Sequence, residues 1–217
     1  IKNNSIDLEP TYQQLKNMFK SDMKKCSVFL DWTYDRCFGE WTYKKSQVGT
    51  VFGGDKYFGE FVAGFPSGKG IYQFNGESDK KGGIYLGAFS AMVANGYGTF
   101  YSSKTKYSFY KYEGYFANNM ASGKGKFYYR NGDIYEGETQ RNSPNGSGII
   151  TLKLGGSYEG EFLDGRYHKY GVLISWDGKK KSVYHFAGRI TKSPEQERKE
   201  QLEKMALKVE ALKESTL

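Results

Sequence analysis

The stretch Tyr112-Glu113-Gly114-Tyr115-Phe116-Ala117-Asn118-Asn119-Met120-Ala121-Ser122-Gly123-Lys124-Gly125 decides the fold. Tyr112, Gly114 and Phe116 alternate, so on an extended chain all three point to one side. Gly123 and Gly125 resume the alternation after a short break, and Phe127 continues it. Two such runs joined by a turn predict a β-hairpin with one aromatic face. Working outward, the same unit starts at Tyr57, Tyr85, Tyr135 and Tyr158, giving spacings of 28, 27, 23 and 23 residues. In the first copy Tyr57, Gly59 and Phe61 precede the turn Ala63-Gly64-Phe65-Pro66, and Gly68, Gly70, Tyr72 and Phe74 follow it. Thr139 replaces the aromatic in the fourth copy and Lys169 a glycine in the fifth. Worn copies flank the array at Cys37 to Trp41 and Tyr184 to Gly188, as expected of terminal repeats that cap a stack.

Between hairpins stand Asn75-Gly76, Asn131-Gly132, Gly155-Gly156 and Asp177-Gly178, all strong turn signals. The chain therefore reads as a meander of hairpins in one elongated, twisted antiparallel sheet over residues 37–190. Glycine weakens a strand, so its fixed place in every unit needs a reason. Each glycine is expected to leave a slot for an aromatic ring of a neighbouring strand. The two longer spacings hold insertions, at Glu77 to Gly83 and Ser102 to Lys106, expected to protrude at one edge.

Composition agrees. The 217 residues include 28 Gly, 19 Tyr and 15 Phe but only 4 Pro. That aromatic content does not fit a disordered chain. Net charge is +8 and mean hydropathy −0.70, with no apolar run near the ~18 residues of a membrane span. The chain opens at Ile1, so its natural start is expected upstream.

The flanks are helical. In residues 1–36, Tyr12, Leu15, Phe19 and Met23 recur at helical spacing, and Ser27 to Leu30 reads as a strand. The bland reading of this helix is a cap on the open sheet edge; the alternative is a basic partner-binding helix. In residues 191–217, Ser193, Pro194 and Gln196 form a helix start with a capping box. Leu202, Met205, Val209 and Leu212 make a short apolar stripe expected to be buried, on the sheet or on a partner.

The unit resembles the MORN repeat (membrane occupation and recognition nexus). Tyr135-Glu136-Gly137 and Tyr158-Glu159-Gly160-Glu161-Phe162 carry the resemblance, and Asn131 to Gly137 is similar to MORN proteins of cilia and flagella. The resemblance implies a groove-shaped sheet used as a scaffold in radial spokes, at membrane–cytoskeleton junctions or beside enzyme domains. An intracellular, cytoskeletal and axonemal setting follows from it.

Catalytic signatures are weak. Gly64 to Gly70 imitates a phosphate loop but is one residue short, with Gly70 where a Ser or Thr should bind magnesium. Cys26 and Cys37 lie eleven apart without a nearby histidine, so neither zinc nor a redox pair is expected. Unpaired cysteines point to an intracellular protein. His168 and His185 are taken as surface residues. No cofactor, metal or small-molecule substrate is expected, and no nucleic acid, because the charges are not organised into a basic stripe among the aromatics.

The leading expectation is a non-enzymatic scaffold holding a peptide or helix of a partner protein. Its groove would be lined by Tyr57, Phe61, Tyr72, Phe74, Tyr85 and Phe89 in the first units, and by Phe100, Tyr112, Phe116, Phe127, Tyr135, Tyr158 and Phe162 further on. The warrant is that a single sheet has nothing of its own to cover that face, and a large bare apolar patch marks an interaction site. Glu60, Lys69, Glu113, Lys124, Glu136, Glu138, Glu159 and Glu161 fall on the other face. The competing expectation is a phospholipid-binding adaptor that uses Lys179, Lys180 and Lys181. A third is a regulatory piece of an enzyme whose catalytic domain lies elsewhere.

Overall fold

The computed structural model describes residues 10–18, 26, 36–43, 54–76, 80–103, 107–186 and 188–214, the last nine as backbone. Helix α1 (Tyr12–Met18) precedes thirteen strands. These are β1 (Arg36–Thr42), β2 (Lys56–Val62), β3 (Phe65–Gln73), β4 (Ile84–Ser90), β5 (Val93–Tyr101), β6 (Phe109–Ala117) and β7 (Met120–Tyr129). Then come β8 (Ile134–Gln140), β9 (Ser143–Thr151), β10 (Ser157–Leu163), β11 (Arg166–Ile174), β12 (Lys180–Phe186), β13 (Arg189–Thr191) and helix α2 (Pro194–Glu214). The strands form one open antiparallel sheet in chain order, as the repeat predicts.

Register turns the repeated glycines into a row. Gly39 faces Gly59, which faces Gly70, and the pairing continues through Gly87, Gly98, Gly114, Gly125, Gly137, Gly148 and Gly160 to Gly171. Val183 ends it. On this row lie the tyrosine rings. A Cβ added to Gly70 would stand 2.4–2.5 Å from the Tyr57 ring and hydroxyl, one at Gly98 2.5–2.6 Å from those of Tyr85, and one at Gly171 2.4 Å from those of Tyr158. The slots are therefore real, each filled by the tyrosine of its own unit. Each hydroxyl then donates to the carbonyl three residues on: Tyr57 to Glu60 (2.8 Å), Tyr85 to Ala88 (3.0 Å) and Tyr135 to Glu138 (2.6 Å).

Just past the row every hairpin slips register, between Gly59 and Phe61, Gly87 and Phe89, Gly114 and Phe116, Gly137 and Thr139, and Gly160 and Glu161. Such a bulge bends a hairpin. The partner strand adopts a left-handed residue there, φ 105° at Gly123; Lys169, which takes this place in the fifth unit, accepts φ 48°. The bent tips reach back over the aromatic side and bond to the preceding hairpin: Met92 N–H to Pro66 O (2.8 Å), Asn119 N–H to Ala94 O (3.0 Å), Asn142 N–H to Ala121 O (3.1 Å). The side chains of Asn119 and Asn142 accept from Ala94 and Ala121 in return.

This roof overturns the expected aromatic groove. The phenylalanines of the tips wedge between successive tyrosines: Phe89 sits edge-on to Tyr57 (5.1 Å) and Tyr85 (5.0 Å), and Phe116 to Tyr85 (4.8 Å) and Tyr112 (5.2 Å). Tyr57, Phe61, Tyr72, Tyr85, Phe89, Phe100, Tyr112, Phe116, Phe127, Tyr135, Tyr158 and Phe162 are all buried, and half-buried Phe74 packs against them. They are core, because the sheet covers its own aromatic face with its own turns. Thr139 fits the missing fourth wedge by placing its hydroxyl 3.1 Å from that of Tyr112 and donating to Gly123 O (2.8 Å).

Four further expectations change. Cys26 and Cys37 form a disulfide, because Cys37 takes the ladder position of a worn unit and the Cys26 N–H bonds Phe38 O (2.9 Å); the argument for an intracellular protein from unpaired thiols loses its ground. His185 is buried rather than on the surface, edge-on to Tyr158 at 5.3 Å, and its Nδ1 has no hydrogen-bond partner among the described residues. The capping box of α2 is formed, with Ser193 N–H to Gln196 Oε1 at 2.9 Å and Gln196 N–H to Ser193 Oγ at 3.2 Å. Leu202 and Met205, however, are exposed, so the expected stripe does not pack on the sheet there; Val209 and Leu212 lie outside the described side chains, as do Phe19, Met23 and Ser27 to Leu30. The described part of the first insertion, Lys80 to Gly83, does not simply protrude, because Lys80 reaches back to Asn119 O (2.7 Å).

Two stability measurements test this core. Gly125→Ala, whose Cβ would meet the Tyr112 ring and hydroxyl at 2.2–2.6 Å, should destabilise by roughly 3 kcal/mol. Gly178→Ala, with open space around it and φ 82°, should cost only about 1 kcal/mol for the left-handed backbone; equal losses would refute the slots. Burial raises the phenol pKa of Tyr57, Tyr72, Tyr85 and Tyr135, and moves Tyr129 to about 12 with help from Asp133. A raised folded value leaves stability complete below the unfolded value of about 10 and removes it as pH rises further. The buried tyrosines should thus ionise together with unfolding, well above pH 10, read as a tyrosinate absorbance step that coincides with loss of the sheet.

Candidate partner-binding surface

The face opposite the rings changes character along the sheet. In the first two units the residue after the ladder tyrosine is apolar, Phe58 and Leu86. With Ile71 and Ile84 these form a second small core, covered by Tyr12 and Leu15 of α1. Lys16 lies 4.8 Å above the Phe58 ring and pairs with Glu40, which also accepts from the Tyr12 hydroxyl. The N-terminal helix thus covers a face, not the sheet edge.

From the third unit on, the equivalent residues are Glu113, Glu136 and Glu159. Nothing described covers them, and a trough of about 800 Å³ opens across β5 to β11. Gly114, Gly125, Gly137, Gly148 and Gly160 form its floor, where the absence of side chains on the shared row makes the hollow. Glu113, Glu136, Glu138, Glu159 and Glu161 line it against Lys124 and Lys126. Tyr97 and Tyr115, both more than half exposed, stand edge to face at 5.5 Å on one side, with Tyr170 on the other.

Some of these charges are already engaged. Lys126 pairs with Glu136 (2.7 Å), Lys111 with Glu113 (2.7 Å) and Lys169 with Glu161 (3.4 Å). Burial works against ionisation of Glu113, but the Lys111 ammonium and the Tyr128 hydroxyl (2.7 Å) hold its carboxyl below the usual range. Glu138 and Glu159 have no ion-pair partner among the described residues. The trough thus sets two carboxylates without an ion-pair partner among the described residues beside exposed aromatic rings.

Sequence reasoning had the two faces right but took the buried aromatic face for an open groove. Tyr97, Tyr115 and Tyr170 were missed, although Tyr97 and Tyr170 share one repeat position, just before the row glycines Gly98 and Gly171, which Lys69, Lys124 and Ser147 fill in the other units. The switch from Phe58 and Leu86 to Glu113, Glu136 and Glu159 at one repeat position was the available signal. Lys179, Lys180 and Lys181 are exposed at the start of β12, Lys179 paired with Asp177 (2.7 Å). Beside them stand two exposed apolar residues, Trp176 and Leu154, at 83% and 94%.

A single-layer sheet of bulged hairpins, each with one tyrosine seated on glycines, defines a β-repeat protein. Three of its segments, residues 57–77, 112–134 and 158–179, match the family model of the MORN repeat. The units that start at Tyr85 and Tyr135 share its register and its buried tyrosine. None of the curated proteins matches the chain. The MORN repeat is generally a non-catalytic binding module. Among the described residues no helix is long and apolar enough to cross a membrane, and no group of His, Cys, Asp and Glu could hold a metal ion.

Leu15→Asp tests the division of this face. Burying a leucine contributes about 1.5–3 kcal/mol, so the variant should lose about that much stability and release α1, read as new hydrogen exchange at Tyr12–Met18. Unchanged protection there would show that α1 is held by other contacts.

Proposed function

We propose that the chain is a non-enzymatic adaptor that binds an extended, basic segment of a partner protein in the glycine-floored trough. The observation that carries this is the pairing of two unengaged carboxylates, Glu138 and Glu159, with the exposed rings of Tyr97 and Tyr115 over one open hollow. Aromatic residues anchor interfaces, and charge complementarity sets the partner's sign and the on-rate. A cytoskeletal or axonemal assembly is the setting we propose for the adaptor, and the Cys26–Cys37 pair makes the compartment an experimental matter: alkylation of the protein in intact cells, read by mass spectrometry, reports whether the thiols are free there.

Peptide-array binding followed by titration tests the trough. Lys- or Arg-rich extended peptides should bind, weaken as salt rises, and lose at least about tenfold in affinity, or 1.4 kcal/mol, on Glu138→Lys with Glu159→Lys. Binding that survives the double substitution would move the site elsewhere.

A second reading, binding to anionic phospholipid, is favoured by Trp176 and Leu154 beside the three lysines. Tryptophan suits the membrane interface, and each lysine near an anionic surface adds about 1 kcal/mol. Sedimentation with phosphatidylserine vesicles should then be lost on Trp176→Ser with Leu154→Ser and spared by the trough substitutions.

A further inference from the structure

A second hollow, of about 360 Å³, lies on the aromatic side of the sheet, between Lys80 and the tips of the second and third hairpins. Its walls include Tyr43, Tyr72, Phe74 and Phe100, and Asp55 lies within them. The rings meet at angles rather than in a flat stack: Phe74 and Phe100 are 6.0 Å apart and steeply inclined, Tyr72 and Phe74 4.7 Å apart. Several ring faces and edges therefore converge on one space. Asp55 is fully buried and accepts from the Tyr72 hydroxyl (2.8 Å) and the Asn75 N–H (2.6 Å). Its charge is felt at the wall: Tyr43 is pushed up to about 12, first by burial and then by Asp55. A ring face is electrically negative at its centre, so aromatic walls backed by a carboxylate favour a cation.

The chain supplies such a cation itself. The Lys80 ammonium stands 5.5 Å from the centre of Phe74 and 5.9 Å from that of Phe100, and donates to Asn119 O on the opposite rim. These contacts are at the long end for a cation over a ring, so the ammonium crosses the mouth of the hollow instead of filling it. Lys80 thus brings to the rim of the hollow the same chemistry that its walls favour.

We propose that this aromatic hollow is a binding site for an alkylammonium group, the lysine side chain of a partner protein, which enters by displacing Lys80. A lysine has the four-carbon stem to line the apolar walls and the charge to face the rings, as Lys80 does at the rim. The site is on the opposite face from the trough and stands whether or not the trough binds a peptide.

The test uses the full 217-residue chain and n-butylammonium as a lysine side-chain probe, followed by NMR. In the unsubstituted protein butylammonium should shift the ring protons of Phe74 and Phe100 at high concentration, while neutral n-butanol should not. Lys80→Ala should bind butylammonium roughly tenfold more tightly, since the tethered competitor is gone. Adding Phe100→Leu to Lys80→Ala should cut that affinity several-fold, and Glu138→Lys with Glu159→Lys should leave it unchanged. A lysine-bearing peptide should compete with the probe and free phosphocholine should not. The proposal is overturned if butanol shifts the rings as butylammonium does, if neither the parent nor Lys80→Ala responds, or if phosphocholine alone competes.

Discussion

The whole sheet depends on one contact: a tyrosine ring lying flat on glycine backbone. A Cβ at Gly70, Gly98, Gly125, Gly148 or Gly171 would overlap the ring that rests there. With the side chain gone, the ring takes its space, and its hydroxyl reaches the carbonyl three residues further along its own strand. That hydrogen bond anchors the strand where it bends. The loss of strand propensity at each glycine is offset by burial of a large aromatic side chain and by edge-to-face contacts on both sides of it.

From this contact follows the assignment of the faces. The bend at each bulge folds the hairpin tip over the rings, so each unit roofs the one before it. Asn119 and Asn142 bond the roof through both backbone and side chain. The aromatic face is then largely spent on the core, and the other face stays open beyond α1. There the same glycines present a side-chain-free strip, which becomes the floor of the trough wherever the flanking residues are charged and no helix covers it. One row of residues is thus both the seat of the core and the floor of the site.

Much of this was legible in the sequence. The period of Tyr112, Gly114 and Phe116 predicts the strands, the hairpins and their order, because alternation and turn chemistry are local. The covering of the aromatic face was not, because it rests on bonds between the tip of one hairpin and the hairpin before it, Met92 N–H to Pro66 O and Asn142 N–H to Ala121 O, which no local pattern encodes. The disulfide was missed for a related reason, since proximity of Cys26 to Cys37 depends on the chain at residue 26 running alongside β1, which spacing alone does not reveal. Tyr97 and Tyr170 share a repeat position, but Lys69, Lys124 and Ser147 fill it elsewhere, so only exposure beside the glycine floor singles the trough tyrosines out.

The ends of the array show why a finite stack needs different chemistry at its limits. Tyr57, Tyr85 and Tyr135 are wedged by the aromatic of the next unit and Tyr112 by Thr139, so the last tyrosine needs a substitute: Tyr158 has Phe162 on one side and His185 on the other. Burial lowers the His185 pKa, so the wedge is a neutral ring at physiological pH. A lowered folded value means that its contribution is complete above the unfolded value of about 6.5 and shrinks as pH falls below that toward the folded value. The last hairpin should therefore loosen before the middle of the sheet on mild acidification, seen as earlier hydrogen exchange in β11 and β12 than in β6 and β7, and His185→Phe should abolish the difference. If β11 and β12 exchange no earlier below pH 6 than above it, the imidazole is not what closes the stack.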